Sequence, residues 1–111
     1  MAQILRGEIR WADLDPIVGH EQSGRRPVLI LAGALFAEKS HTVIAVAITS
    51  REPKPGFPVS VPIHGLPKPS WAIVPQVRLL SVHRLGETLA VAAQSELSEV
   101  VRGLNLLITK D

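Results

Sequence analysis

Cysteine is absent from the 111 residues, which excludes disulfide frameworks, thiolate zinc sites, thiol nucleophiles and iron–sulfur ligation together. Stability has to come from core burial. Aromatic side chains are scarce, two Trp and two Phe, so Trp11 and Trp71 are expected in the core. No apolar stretch approaches the roughly 18 residues that cross a bilayer. Met1 to Arg10 alternates charged with apolar residues and has no apolar signal core, so a cytoplasmic protein without membrane contact is expected. No GxxxxGK loop appears, which leaves nucleotide hydrolysis without support. His20, His41, His64 and His83 are widely spread, and His20-Glu21 lacks the second histidine four positions on that a zincin helix requires. Neither a metal nor another cofactor is expected.

What is present is the material of a packed protein: 46% hydrophobic and 20% charged residues with a mean hydropathy of +0.23. No composition break divides the chain, so residues 1–111 read as one domain. Twelve Lys and Arg against ten Asp and Glu give a net charge of +2. Arg25, Arg26, Arg51, Lys54, Lys68, Arg78 and Arg84 lie in the first three quarters, whereas Glu87, Glu96 and Glu99 gather near the end. A basic surface, if there is one, belongs to the strand-rich part.

Gly7 to Leu14 alternates, with Ile9 and Trp11 on one side and Glu8 and Arg10 on the other, as a half-buried strand does. Asp15 to Arg26 is polar and glycine-containing, an exposed loop of roughly a dozen residues, long for a hairpin connection and of the kind that carries function. Val28 to Leu31 and Thr42 to Ile48 are apolar runs suited to strands buried on both faces. Between them Ala34 to Lys39 has room for one helical turn. Seven of the nine prolines fall from Pro53 to Pro75, which forbids helix there and confines strands to sheet edges; Val59 to Ile63 is the candidate edge strand. Trp71 to Val77 resumes the apolar pattern, and Val82 to Val91 reads as two short strands turning near Gly86. From Ser95, an N-cap candidate, Leu97, Val100, Val101, Leu104, Leu107 and Ile108 recur at helical spacing. Gly103 inside this helix costs about 1 kcal/mol relative to Ala and marks close packing on the sheet. The sum is a small, mainly antiparallel β-barrel with a C-terminal α-helix.

Three spots concentrate chemistry. Gly19 to Pro27 carries His20, Glu21, Gln22, Ser23, Arg25 and Arg26, and Pro27 confines Arg26 to extended backbone. Ile48-Thr49-Ser50-Arg51 ends an apolar run in two hydroxyls and a cation. Gln76 and Arg78 follow Pro75. Spacing alone does not bring the three together.

Arg6-Gly7-Glu8-Ile9, Trp11-Ala12-Asp13-Leu14-Asp15-Pro16, the Glu21-Gln22-Ser23-Gly24-Arg25-Arg26-Pro27 element, Ala47-Ile48-Thr49-Ser50 and Gln76-Val77-Arg78 occur in the order and at the spacing of the MazF/PemK family of toxin endoribonucleases (mRNA interferases) of type II toxin–antitoxin systems, which the chain resembles nearly end to end. The resemblance implies an SH3-like small barrel with a C-terminal helix, a homodimer, and metal-free, sequence-specific cleavage of single-stranded mRNA to 2′,3′-cyclic phosphate and 5′-hydroxyl ends. It also implies a MazE-like antitoxin whose acidic tail occupies the basic RNA groove. Arg26 would stabilise charge on the phosphate, Thr49 would hydrogen-bond it and Glu21 would act as base. His20, Gln22, Arg25, Ser50, Arg51, Gln76 and Arg78 would line the RNA groove. His20 departs from the family, where a small polar residue is usual; its imidazole could act as acid or base, stack on a base or simply be exposed. Trp11 and Trp71 keep base stacking as the alternative to the core. His83 and Arg84 read as solvated surface. The rival reading is a non-catalytic toxin of the same fold that poisons DNA gyrase through its terminal helix.

Overall fold

The alternating segment forms strand β1 (Glu8–Asp13), on one face of which Glu8 and Arg10 pair at 3.0 Å. The two apolar runs form β2 (Arg25–Ala32) and β3 (Thr42–Thr49), joined by the short helix α1 (Ala34–Ser40). β4 (Ser60–Ile63), β5 (Ser70–Ser81) and β6 (Leu85–Val91) follow, and α2 (Gln94–Thr109) closes the chain. The computed structural model describes residues 3–14, 24–54 and 59–109. Its strands make one six-stranded antiparallel sheet in the order β4-β5-β3-β2-β1-β6. The expected barrel-type fold is thus present, with pairing left open between β4 and β6 among the described residues.

Because Val28 to Leu31 of β2 and Val43 to Ile48 of β3 are apolar without interruption, both faces of these runs are buried, and the sheet carries a core on each side. Leu29, Leu31, Val46 and Ile48 point to one core, closed by Val61, Ile63, Val74 and, from α2, Leu97 and Val100. Val28, Ile30, Val43, Ala45 and Ala47 point to the other, with Ala12, Leu14 and Leu80, and Ala37 of α1 packs against it.

Four local expectations need correction. β5 contains Pro75 yet lies inside the sheet, between β4 and β3. The proline is tolerated because β4 pairs only up to Ile73 and the β3 register breaks between Val77 opposite Val46 and Ala72 opposite Ile48, so no ladder bond is lost at the bulge. Val82 to Val91 is not two strands: a 3₁₀ turn (Val82–Arg84) leads into the single strand β6, which runs through Gly86. Ser95 is not the cap of α2, which begins at Gln94. The capping is done by Glu96, whose Oε1 accepts the Ala93 N–H at 3.0 Å while its Oε2 accepts the His64 N–H at 2.8 Å, the carboxylate arm of a capping box tied to a second element. Finally, the helix buries Leu97 and Val100 but leaves Leu107 and Ile108 exposed. Its apolar stripe therefore meets the sheet only over the first half of the helix.

Gly103 does mark close packing: a Cβ there would collide with Val59 Cγ1 and stand 3.5 Å from Val74 Cγ2. Val59 itself holds a positive φ of 64°, costly for a β-branched residue, and is fixed by this contact and by its carbonyl, which accepts the Val74 N–H at 3.1 Å. Gly103→Ala is therefore expected to destabilise by about 1–3 kcal/mol despite alanine's better helix propensity, read as a lowered urea midpoint.

Burial pushes the Glu96 carboxyl up, but hydrogen bonds from the Ala93 and His64 N–H groups, helped by the His64 ring, bring it below the ordinary 4.5. A depressed folded-state value stabilises the fold fully above the unfolded value, and that contribution is lost as pH falls through the folded one. Urea midpoints measured from pH 6 downward are expected to drop below about pH 4.5 in the native chain and to drop less in Glu96→Gln. Equal slopes in the two proteins would remove this role from Glu96.

Candidate active site

The β2–β3 register sets Val28 opposite Ala47. Carried two residues further, it brings Arg26, at the start of β2, level with Thr49, at the end of β3. Directly opposed residues share a face and alternate residues along a strand share one too. Arg26 therefore lies in line with Val28 and Ile30, and Thr49 with Ala45 and Ala47, over the same face of the sheet. β5 extends the row: Arg78 is opposite Ala45 and Trp71 is opposite Thr49, while Gln76 falls in the register break between them. Two of the three sequence spots and the strand that bears the third residue pair are thus neighbours.

Local structure aims the groups. Gly24 has a positive φ of 70°, which a side chain would disfavour, and its carbonyl accepts the Leu14 N–H at 2.9 Å; this turn delivers Arg25 and Arg26 straight into extended backbone before Pro27. Thr49 Oγ1 accepts the Arg51 N–H at 3.1 Å, leaving the hydroxyl hydrogen to be donated outward. Ser50 and Arg51 are exposed in the turn beyond. A guanidinium fork and a hydroxyl at neighbouring strand ends suit a phosphodiester, whose two non-bridging oxygens take parallel N–H bonds. His20, Glu21 and Gln22 lie outside the described residues.

Arg25 goes elsewhere. Opposite Asp13 on β1, it points to the face away from Arg26, and its guanidinium carbon stands 5.1 Å from the centre of the Trp11 ring, a cation–π distance. Trp11, Asp13, Arg25, Arg84 and Gly86 surround a cleft of about 440 Å³ there. The tryptophans are accordingly not core residues: both are half-buried, one in this cleft and the other beside Thr49. Arg84 is more than solvated surface, since its Nη1 donates to the Asp13 carbonyl at 3.1 Å and joins the 3₁₀ turn to β1.

A family model, the PemK-like, MazF-like toxin of type II toxin-antitoxin system, matches residues 5–108. The chain belongs to this family. A curated relative, the endoribonuclease MazF of Staphylococcus saprophyticus, is 36% identical over 91% of this chain and 88% of that protein. The crystal structure of MazF from Deinococcus radiodurans superposes with a TM-score of 0.85 at 32% identity, covering 98% of this chain and 99% of that one. A MazE–MazF structure from the same organism gives 0.79 at 25% identity with both chains fully covered. No helix among the described residues of this MazF-like chain is long and apolar enough to cross a membrane.

The Trp11–Arg25 pair was missed by sequence reasoning that read the loop as one cluster; period two, applied through Arg25 and Arg26, separates them. Because Arg26 is exposed and Thr49 half-exposed, Arg26→Ala and Thr49→Val are expected to keep the native unfolding free energy, read from urea titration, to within about 0.5 kcal/mol. A larger loss in either would show that the residue holds the strand ends together.

Proposed function

We propose that this MazF-like chain is a metal-independent, sequence-specific endoribonuclease toxin that cuts single-stranded mRNA, stops translation and growth, and is neutralised by a cognate MazE-like antitoxin in the cytoplasm. What supports the reading is the guanidinium of Arg26 and the hydroxyl of Thr49 ending adjacent strands on one face, in a family whose Staphylococcus saprophyticus member is an endoribonuclease.

In this reading the 2′-hydroxyl attacks the adjacent phosphorus as the bond to the 5′-oxygen breaks, giving a 2′,3′-cyclic phosphate and a 5′-hydroxyl. Charge grows on the non-bridging oxygens, where the Arg26 fork and the Thr49 O–H stabilise it. Glu21 takes the 2′ proton; the leaving 5′-oxygen gains one, and the neighbouring His20 imidazolium is the acid next in sequence. Gln22, Ser50, Arg51, Gln76 and Arg78 contact the RNA strand, and the cations among them attract both RNA and an acidic antitoxin tail in a salt-dependent way. Pairing with a second copy belongs to this reading.

The test is incubation of purified protein with a long unstructured RNA in excess EDTA, with Arg26→Ala alongside and all new ends mapped. Discrete cuts bearing 5′-hydroxyls are expected, slowed about 10²–10³-fold in the variant. RNA left intact by the native protein would overturn the reading in favour of gyrase poisoning or binding alone; cutting by the variant at native rate would remove Arg26 from the chemistry.

A further inference from the structure

Adjacent residues of an extended strand have Cα atoms 3.8 Å apart and side chains on opposite faces. The strand start that aims Arg26 at a phosphate therefore sends Arg25 to the other side, onto Trp11. The arrangement there is built rather than incidental. A Cβ at Gly86 would stand 3.2 Å from Trp11 Cβ and 3.4 Å from Arg25 Nη2, so a side chain there would crowd the pair. The Gly86 carbonyl accepts the Arg10 Nε–H at 3.0 Å, and Arg84 is tied to the Asp13 carbonyl, so both walls of the cleft are pinned. Arg25 is exposed and borders the free space, which at about 440 Å³ accommodates a small planar ligand.

We propose that this cleft holds one unpaired nucleobase of the RNA strand, the one next to the phosphate on Arg26, stacked on the Arg25 guanidinium that itself rests on Trp11. The proposal rests on the ribonuclease reading above and names a selectivity subsite for it. Guanidinium planes and aromatic rings are the platforms on which splayed-out bases stack, whereas an anionic peptide needs only the charge. Arg84 at the rim puts a second guanidinium beside the base edge.

Trp71→Phe leaves Trp11 as the sole fluorophore. This protein would be titrated with a 2′-fluoro RNA oligonucleotide of random sequence, which has no attacking hydroxyl, and with an abasic oligomer of the same length and charge. Base-bearing RNA is expected to quench Trp11 and the abasic strand to leave it unchanged. Arg25→Lys, which keeps the charge and loses the plane, and Gly86→Ala, which crowds the stack, are each expected to weaken the quenching titration about tenfold. Equal quenching by the abasic strand, or native affinity in Arg25→Lys, would overturn the proposal, as would quenching by an acidic peptide where RNA gives none. Arg26-dependent cutting in EDTA without any Trp11 response would sink the cleft alone; absence of both would sink the ribonuclease reading with it.

Discussion

Pairing of β2 with β3 is the constraint from which the site follows. Val28 to Leu31 and Ala45 to Ile48 are all buried, half of each run in one core and half in the other. A slip of one residue would exchange the two sets between cores of different shape, so the register is fixed by packing. Interior positions of these strands have no room for ions, and polar groups can appear only where the strands leave the core. Arg26 and Thr49 are those positions. Their adjacency is a product of hydrophobic packing and requires no attraction between them.

The neighbouring strand is held by the helix. Gly103 lets α2 approach Val59 and Val74, and Glu96 binds the start of the helix to the residue after β4. β4 and α2 together clamp the first half of β5, up to the bulge at Pro75. Beyond it the strand resumes pairing with β3 in a different register, which sets Arg78 opposite Ala45. Bulges that re-aim side chains beside a site are a recurring device; in this chain a proline stabilises one by removing a donor that would otherwise need a partner.

Strand existence, the apolar central pair and the terminal helix were legible because period two, uninterrupted apolar runs and period 3.6 are local properties. The family motif placed Arg26 and Thr49 among the candidates. What was not legible depends on partners. Pro75 argued for an edge strand, since nothing local reveals that a ladder is already broken opposite it. Leu107 and Ile108 continued a helical stripe whose sheet ends before they do. Trp11 and Trp71 were assigned to the core by scarcity, although their cross-strand neighbours, Pro27 and Thr49, sit at the strand ends where the core stops. Ser95 fitted the composition of a cap, but a buried glutamate with two backbone donors outweighs a hydroxyl with one.

The Arg25-Arg26-Pro27 tripeptide then reads as a device for dividing labour. Proline keeps the preceding residue extended, and extension forces the two guanidiniums to opposite sides of one strand. Contacts to phosphate fix register and supply salt-dependent affinity but carry no sequence information, whereas contacts to bases do. In the function proposed above, one arginine on each side offers a single strand of RNA a charge-stabilising group and a stacking group. The backbone fixes the spacing of their Cα atoms and the opposite directions in which the two side chains leave the strand. Lysine would serve neither side as well, having no fork for two oxygens and no plane for a base.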